Sequence, residues 1–124
     1  MTSFANHANS YLDKLCKAFT NDNLLCAQEL AEDLFDLWEN RRKLFIVGNG
    51  GSAANAIHIA NDFTYGVSCG LKNTSAFNVE ALMSNQSVIT CLGNDIGYEN
   101  IFSHQLSLKS SPGDLLLCLS GSGN

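Results

Sequence analysis

Leu44-Phe45-Ile46-Val47-Gly48-Asn49-Gly50-Gly51-Ser52-Ala53-Ala54 carries the strongest structural signal in the chain. Four apolar residues without alternation run into a Gly-Asn-Gly-Gly-Ser turn, and an alanine-rich segment follows. An unalternating apolar run fits a strand covered on both faces, as in a parallel sheet. Glycines permit the tight turn and close approach of a ligand. The first N–H groups of a helix lack internal partners and favour an anion. The stretch therefore predicts a strand, a turn and a helix N-terminus, with a phosphate cradle at residues 48–53. An ordinary glycine-rich strand-to-helix turn is the alternative.

Ahead of it, Phe4, Ala8, Tyr11, Leu12, Leu15 and Phe19 mark one apolar helical stripe over residues 4–19. Asn21-Asp22-Asn23 is expected to break that helix and cap a second, running to about residue 40 with Leu30, Leu34, Leu37 and Trp38 on its apolar face. Residues 1–42 read as a helical pair with spare apolar surface for oligomerisation, and residues 43–124 as the α/β part.

Behind it, a strand is expected at about 44–47 and a helix from Ser52 to Phe63 with Ala53, Ile57, Ala60 and Phe63 toward the sheet. A weaker strand follows at 74–79, then a helix from Glu80 to Leu92, a loop at 93–97 and a helix from Tyr98 to Leu108. Ser111-Pro112-Gly113-Asp114 is a turn, and Leu115 to Leu119 a third, fully apolar strand. Alternating strands and helices predict a three-layer αβα, doubly wound parallel sheet with right-handed crossovers, and with strand one central its order is 2-1-3. The loops after strands one and three would then adjoin at the switch point where ligands bind. The chain stops where a further helix is expected, so it reads as the first part of a longer protein.

Composition narrows the function. The 124 residues carry a net charge of −5, which argues against a nucleic-acid surface. No apolar run reaches the ~18 residues of a membrane helix, and no signal-peptide pattern opens the chain, so a cytoplasmic protein is expected. Five cysteines with no C-x-x-C pair do not suggest a disulfide framework; Cys16, Cys91 and Cys118 lie in apolar surroundings and read as core residues.

The phosphate site can be narrowed too. A Walker loop needs a lysine that is absent near Gly51. Gly48-x-Gly50-x-x-Ala53 meets the loose dinucleotide fingerprint, but the nearest acidic candidate, Glu80, lies about 30 residues on instead of ~20. A small phosphate held by neutral donors suits the residues better: Asn49, Gly50, Gly51 and Ser52 in one loop, Ser120, Gly121, Ser122 and Asn124 in the other. His58 and Asp62, four apart on one helix, share a face. They are read as a metal pair, as a general base (Asp62) with an orienting imidazole, or as a solvated helical ion pair.

Gly48 through Ala60 resembles the sugar isomerase (SIS) domain, in its phosphoheptose isomerase branch. Gly93-Asn94-Asp95-Ile96-Gly97-Tyr98-Glu99 and Gly113 through Asn124 resemble two further motifs of that branch. The resemblance implies a flavodoxin-like sheet of five strands in a homotetramer. It implies conversion of sedoheptulose 7-phosphate to the aldose heptose 7-phosphate through an enediol, for cell-surface glycan. It places Ser52, Ser120 and Ser122 on the phosphate and Asp95 near the sugar. It implies zinc on His58 and Asp62, with Asp62 also the catalytic base. This sequence departs from the pattern by having Asp62 where the family usually has Glu, and Tyr65-Gly66 where it has Arg. The family's other zinc ligands, a Gln and a His that is also its catalytic acid, belong to a C-terminal part absent from this sequence. A non-catalytic sugar-phosphate-binding or regulatory protein is the alternative, since relatives that sense sugars or act through protein partners exist.

Overall fold

A computed structural model of the chain describes residues 3–66 and 76–123. It comprises two compact units, Met1–Phe35 and Asp36–Asn124.

In the first unit, α1 spans Phe4–Ala18, and the Ser3 hydroxyl caps it by accepting the Asn6 N–H. Helix α2 spans Asn21–Glu39, so its last turn belongs to the second unit. Thr20, rather than the Asn21-Asp22-Asn23 cluster, caps α2: its Oγ1 accepts the Asn23 N–H. Asn23 closes the junction from inside the helix, donating its Nδ2 to the Ala18 carbonyl at 2.7 Å. No residue of α1 is buried; Phe4, Tyr11, Leu12, Leu15 and Phe19 of the apolar stripe are exposed.

The second unit is built on three parallel strands in the order β2-β1-β3. Strand β1 (Leu44–Gly48) is buried at every position, which is why its sequence shows no alternation. Strands β2 (Val79–Ala81) and β3 (Leu115–Leu119) pair with it in register Leu44↔Val79 and Leu44↔Leu115. On one face Phe45 and Val47 pack with Leu82, Phe102 and Leu106. On the other, α3 (Gly51–Asn61) lies against the sheet with Ala56 fully buried. Reversal of the strand order carries the right-handed crossovers to opposite faces. The expected fold class and strand order are therefore those observed.

Several elements begin or end away from their expected bounds. Strand two lies at 79–81, later than 74–79, because Glu80 and Ala81 pair with Phe45 and Ile46; Thr74 and Ser75 lie outside the described residues. The helix expected from Glu80 starts at Gln86, where the Asn85 side chain accepts the Val88 N–H. That helix, α4 (Gln86–Asp95), runs through the expected Gly93-Asn94-Asp95 loop. Tyr98–Asn100 is a 3₁₀ turn leading into α5 (Ile101–Lys109). Helix α3 gives way to a π turn at Asp62–Gly66. Ile57, expected toward the sheet, is 42% exposed. Strand β3 is not covered on both faces: Leu116 and Cys118 are exposed while their neighbours are half-buried. Cys16, Cys91 and Cys118 are exposed free thiols, not core residues. Apolar neighbours along the chain do not bury a residue whose own face is turned outward; Cys69 lies outside the described residues.

Candidate active site

The first loop leaves β1 at Gly48, where a methyl group would sit 2.7 Å from the Ser52 carbonyl carbon. Only glycine lets α3 start that close to the strand. Gly50 takes φ 53°, which favours glycine again. Not all the amides of residues 48–53 point at a ligand. Ser52 and Ala53 donate to the Asn49 carbonyl at 3.0 and 3.3 Å, and Ala54 donates to that of Gly50. The N–H groups of Gly50 and Gly51 find no acceptor among the described residues. The amides available to an anion are thus fewer than expected.

The second loop follows β3. Its Ser120 hydroxyl accepts the Gly123 N–H at 3.0 Å and lies 3.4 Å from the Ser122 hydroxyl. Parallel pairing of Gly48 with Leu119 sets the two loops side by side. A cleft of about 390 Å³ lies between them, with Asn49, Ser52, Ser120, Gly121 and Ser122 in its wall and Phe102 from α5 beside them. Asn124 lies outside the described residues.

A second hollow shares Ser52, Ser120 and Gly121 with that cleft and adds Asn55, His58 and Ile59. Asp62 lies one step further, lining a hollow with Ile59, Phe63 and Gly66. His58 Nε2 and Asp62 Oδ2 are 3.4 Å apart, with side chains 74% and 61% exposed. Asp62 is placed by the switch from α3 to the π turn, a distortion frequent at functional sites. Zinc in a catalytic site takes three protein ligands. Among the described residues no group of three or more His, Cys, Asp or Glu side chains converges. His58 and Asp62 alone therefore do not make a zinc site.

Asp95 does not reach the cleft walls; it closes α4, accepting Asn94 Nδ2 at 2.7 Å and the Cys91 thiol at 3.3 Å. The Asn94 and Cys91 hydrogen bonds hold its carboxyl below the ordinary carboxylate range. In return, the hydrogen bond to Asp95 pushes the Cys91 thiol up. The motif instead reaches the first loop through Tyr98, whose hydroxyl donates to Asn49 Oδ1 at 2.8 Å. Tyr98, Asn55 and Phe102 are the site residues that sequence reading missed; all three lie within or beside segments it quoted, but nothing in their spacing signals a contact across the fold. Glu80, the candidate ribose ligand, sits in β2 with Lys109 at 2.6 Å and Lys43 at 3.9 Å. Those lysines occupy the carboxylate a dinucleotide would need.

A family model described as SIS domain matches residues 4–124. The chain belongs to the SIS domain family. Its sequence similarity falls in the phosphoheptose isomerase branch. It is 41% identical over 103 residues to the phosphoheptose isomerase of Trichlorobacter lovleyi, covering 77% of this chain and 47% of that protein. It is 33% identical over 129 residues to phosphoheptose isomerase 2 of Campylobacter jejuni, covering 94% and 61%. The structure resembles the phosphoheptose isomerase of Neisseria gonorrhoeae with a TM-score of 0.79 and 28% identity, covering 98% of this chain and 63% of that one. This SIS chain thus spans about half the length of the curated relatives it matches. No helix among its described residues is long and apolar enough to cross a membrane.

Proposed function

We propose that this SIS domain serves a sugar-phosphate isomerase that converts sedoheptulose 7-phosphate into D-glycero-D-manno-heptose 7-phosphate. The observation that carries the proposal is the convergence of the two Ser/Gly/Asn loops on one cleft, with His58 lining the hollow beside it. In this reading the hydroxyls of Ser52, Ser120 and Ser122 and the amides of Gly50 and Gly51 hold the phosphate. Neutral donors hold a dianion without a fixed counter-charge, which suits a metabolite that must leave again. The sugar extends from the phosphate past His58 toward Asp62. The Asp62 carboxylate takes a proton from C1 of the ketose, and the electron pair forms the C1–C2 double bond of an enediol as the C2 carbonyl oxygen gains a proton. Return of a proton to C2, with loss of the proton on the C1 hydroxyl, gives the aldose. The C-terminal half of the relatives' length would complete the acid side of this exchange, and the active assembly is proposed to be a homo-oligomer.

The test is proton NMR of the protein with sedoheptulose 7-phosphate in D₂O. An aldose anomeric signal with deuterium at C2 is the expected result. Broadened sugar signals without exchange would overturn the isomerase and leave a non-catalytic sugar-phosphate-binding protein. The short, exposed Asp62 favours that second reading. Asp62→Glu discriminates further. It restores the methylene that the family's usual carboxylate has, and a base misplaced by ~1 Å costs about 100-fold in rate. Exchange should persist or rise in this variant if Asp62 is the base.

A further inference from the structure

The Asn49 amide has two chemically different ends, an acceptor oxygen and a donor nitrogen. Its Oδ1 is taken by the Tyr98 hydroxyl at 2.8 Å, across 49 residues of sequence. Its main-chain carbonyl is committed as well, to the N–H groups of Ser52 and Ala53. What Asn49 has left to offer the cleft it lines is Nδ2, which makes no hydrogen bond among the described residues. A free asparagine presents either end to a ligand, and an oxygen turned toward a phosphate repels it. In this structure the phenol settles that choice by donating its proton to the amide oxygen, which leaves the nitrogen turned to the ligand. Local backbone chemistry sets Tyr98 for the task. Gly97, at φ 93°, opens the 3₁₀ turn that carries it, and a methyl group on Gly97 would meet the Glu99 carboxylate at 2.7 Å. The ring lies over Gly93, 3.9 Å from where a Cβ there would be.

We propose that Tyr98 is the positioning residue of the anion cleft: its hydroxyl locks the Asn49 amide with the donor end available to the phosphate. The inference rests on reading the two loops as phosphate ligands. Tyr98 itself does not line the cleft and acts only through Asn49.

Titration of the full chain with inorganic phosphate, followed by ¹H–¹⁵N NMR of the Gly50 and Gly51 backbone amides in every variant and of the Asn49 side-chain amide where it is present, tests it. The variants are Tyr98→Phe, Asn49→Ala and the two combined. Tyr98→Phe should weaken phosphate binding about 3- to 10-fold, the range of one net hydrogen bond, with an unchanged melting temperature because the ring stays in place. Asn49→Ala should weaken it at least as much, and adding Tyr98→Phe to Asn49→Ala should cost nothing more. With sugar phosphate, Tyr98→Phe should raise KM and leave kcat nearly unchanged. Wild-type affinity in Tyr98→Phe, or a loss that persists undiminished in the Asn49→Ala background, overturns the positioning role while phosphate binding by the wild type stands. Absence of any phosphate-dependent shift in the wild type overturns both readings together.

Discussion

At Gly48 a single hydrogen atom decides whether the site exists. A Cβ there would lie 2.7 to 2.9 Å from the Ser52 carbonyl carbon, carbonyl oxygen and Cβ, so the start of α3 would have to move. Gly48→Ala should lower stability by about 1–3 kcal/mol, as overpacking does, and should weaken phosphate binding with it. Calorimetry and a phosphate titration read the two effects; a variant matching the wild type in both would show that α3 need not sit this close. Asp114 works at the opposite end of the sheet. It accepts the Lys43 N–H and the Ser111 N–H, both at 2.8 Å, and so ties the entry of β1 to the turn before β3. The Lys43 hydrogen bond, aided by that of Ser111 and the charges of Lys43 and Arg42, lowers its pKa from the ordinary 3.8. A folded value below the unfolded one means the stabilisation is complete above the unfolded value. It is lost as pH falls through the lowered folded value. Asp114→Ala should cost about 1 kcal/mol at neutral pH, and the gap between variant and wild type should close in acid. Equal loss at pH 7 and below pH 3 would refute the charge's part in it.

Among the elements, α5 is held by a buried polar group as well as by its apolar face. Gln105 is 3% exposed and donates Nε2 to the carbonyls of Leu82 at 3.2 Å and Ile101 at 2.8 Å, while Lys109 donates to its oxygen. Gln105→Leu leaves the Leu82 carbonyl at the end of β2 without that donor, at a cost of about 1–3 kcal/mol. Chemical denaturation should show the loss, and phosphate binding should suffer less than stability because Gln105 does not line the cleft. At the start of α4, Asn85 supplies a side-chain cap that sequence reading passed over in favour of starting the helix at Glu80. The pattern of Glu80-Ala81-Leu82 suits a helix, but pairing with Phe45 and Ile46 overrides so weak a local preference. The Gly93-Asn94-Asp95 segment misled in the other direction, since its turn-forming residues finish a helix instead of leaving one.

Across the molecule, burial is unevenly distributed. Every residue of β1 is buried, whereas none of α1 is. Local opening follows that difference. Amide hydrogen exchange should therefore be slowest in β1 and fastest in α1. Protection of α1 equal to that of β1 would mean that the stripe of Phe4, Tyr11, Leu12, Leu15 and Phe19 is covered by another surface, as the proposed homo-oligomer would do.

The parallel sheet and its two loops were legible in the residues, because an unalternating apolar strand followed by glycines has few structural solutions and each signal is local; the order 2-1-3 followed once strand one was taken as central. Residue type also nominated Ser52, Ser120, His58 and Asp62. Which of these share a wall depends on how the folded chain places them. Register between β1 and β3 brings Ser52 to Ser120, while Asp95, the last residue of α4, does not line their cleft. Tyr98 reaches Asn49 from 49 residues away, and no periodicity carries such a contact. Hydrophobic period and turn chemistry are properties of neighbours in the chain. A hydrogen bond across the fold is a property of where the whole backbone places two side chains.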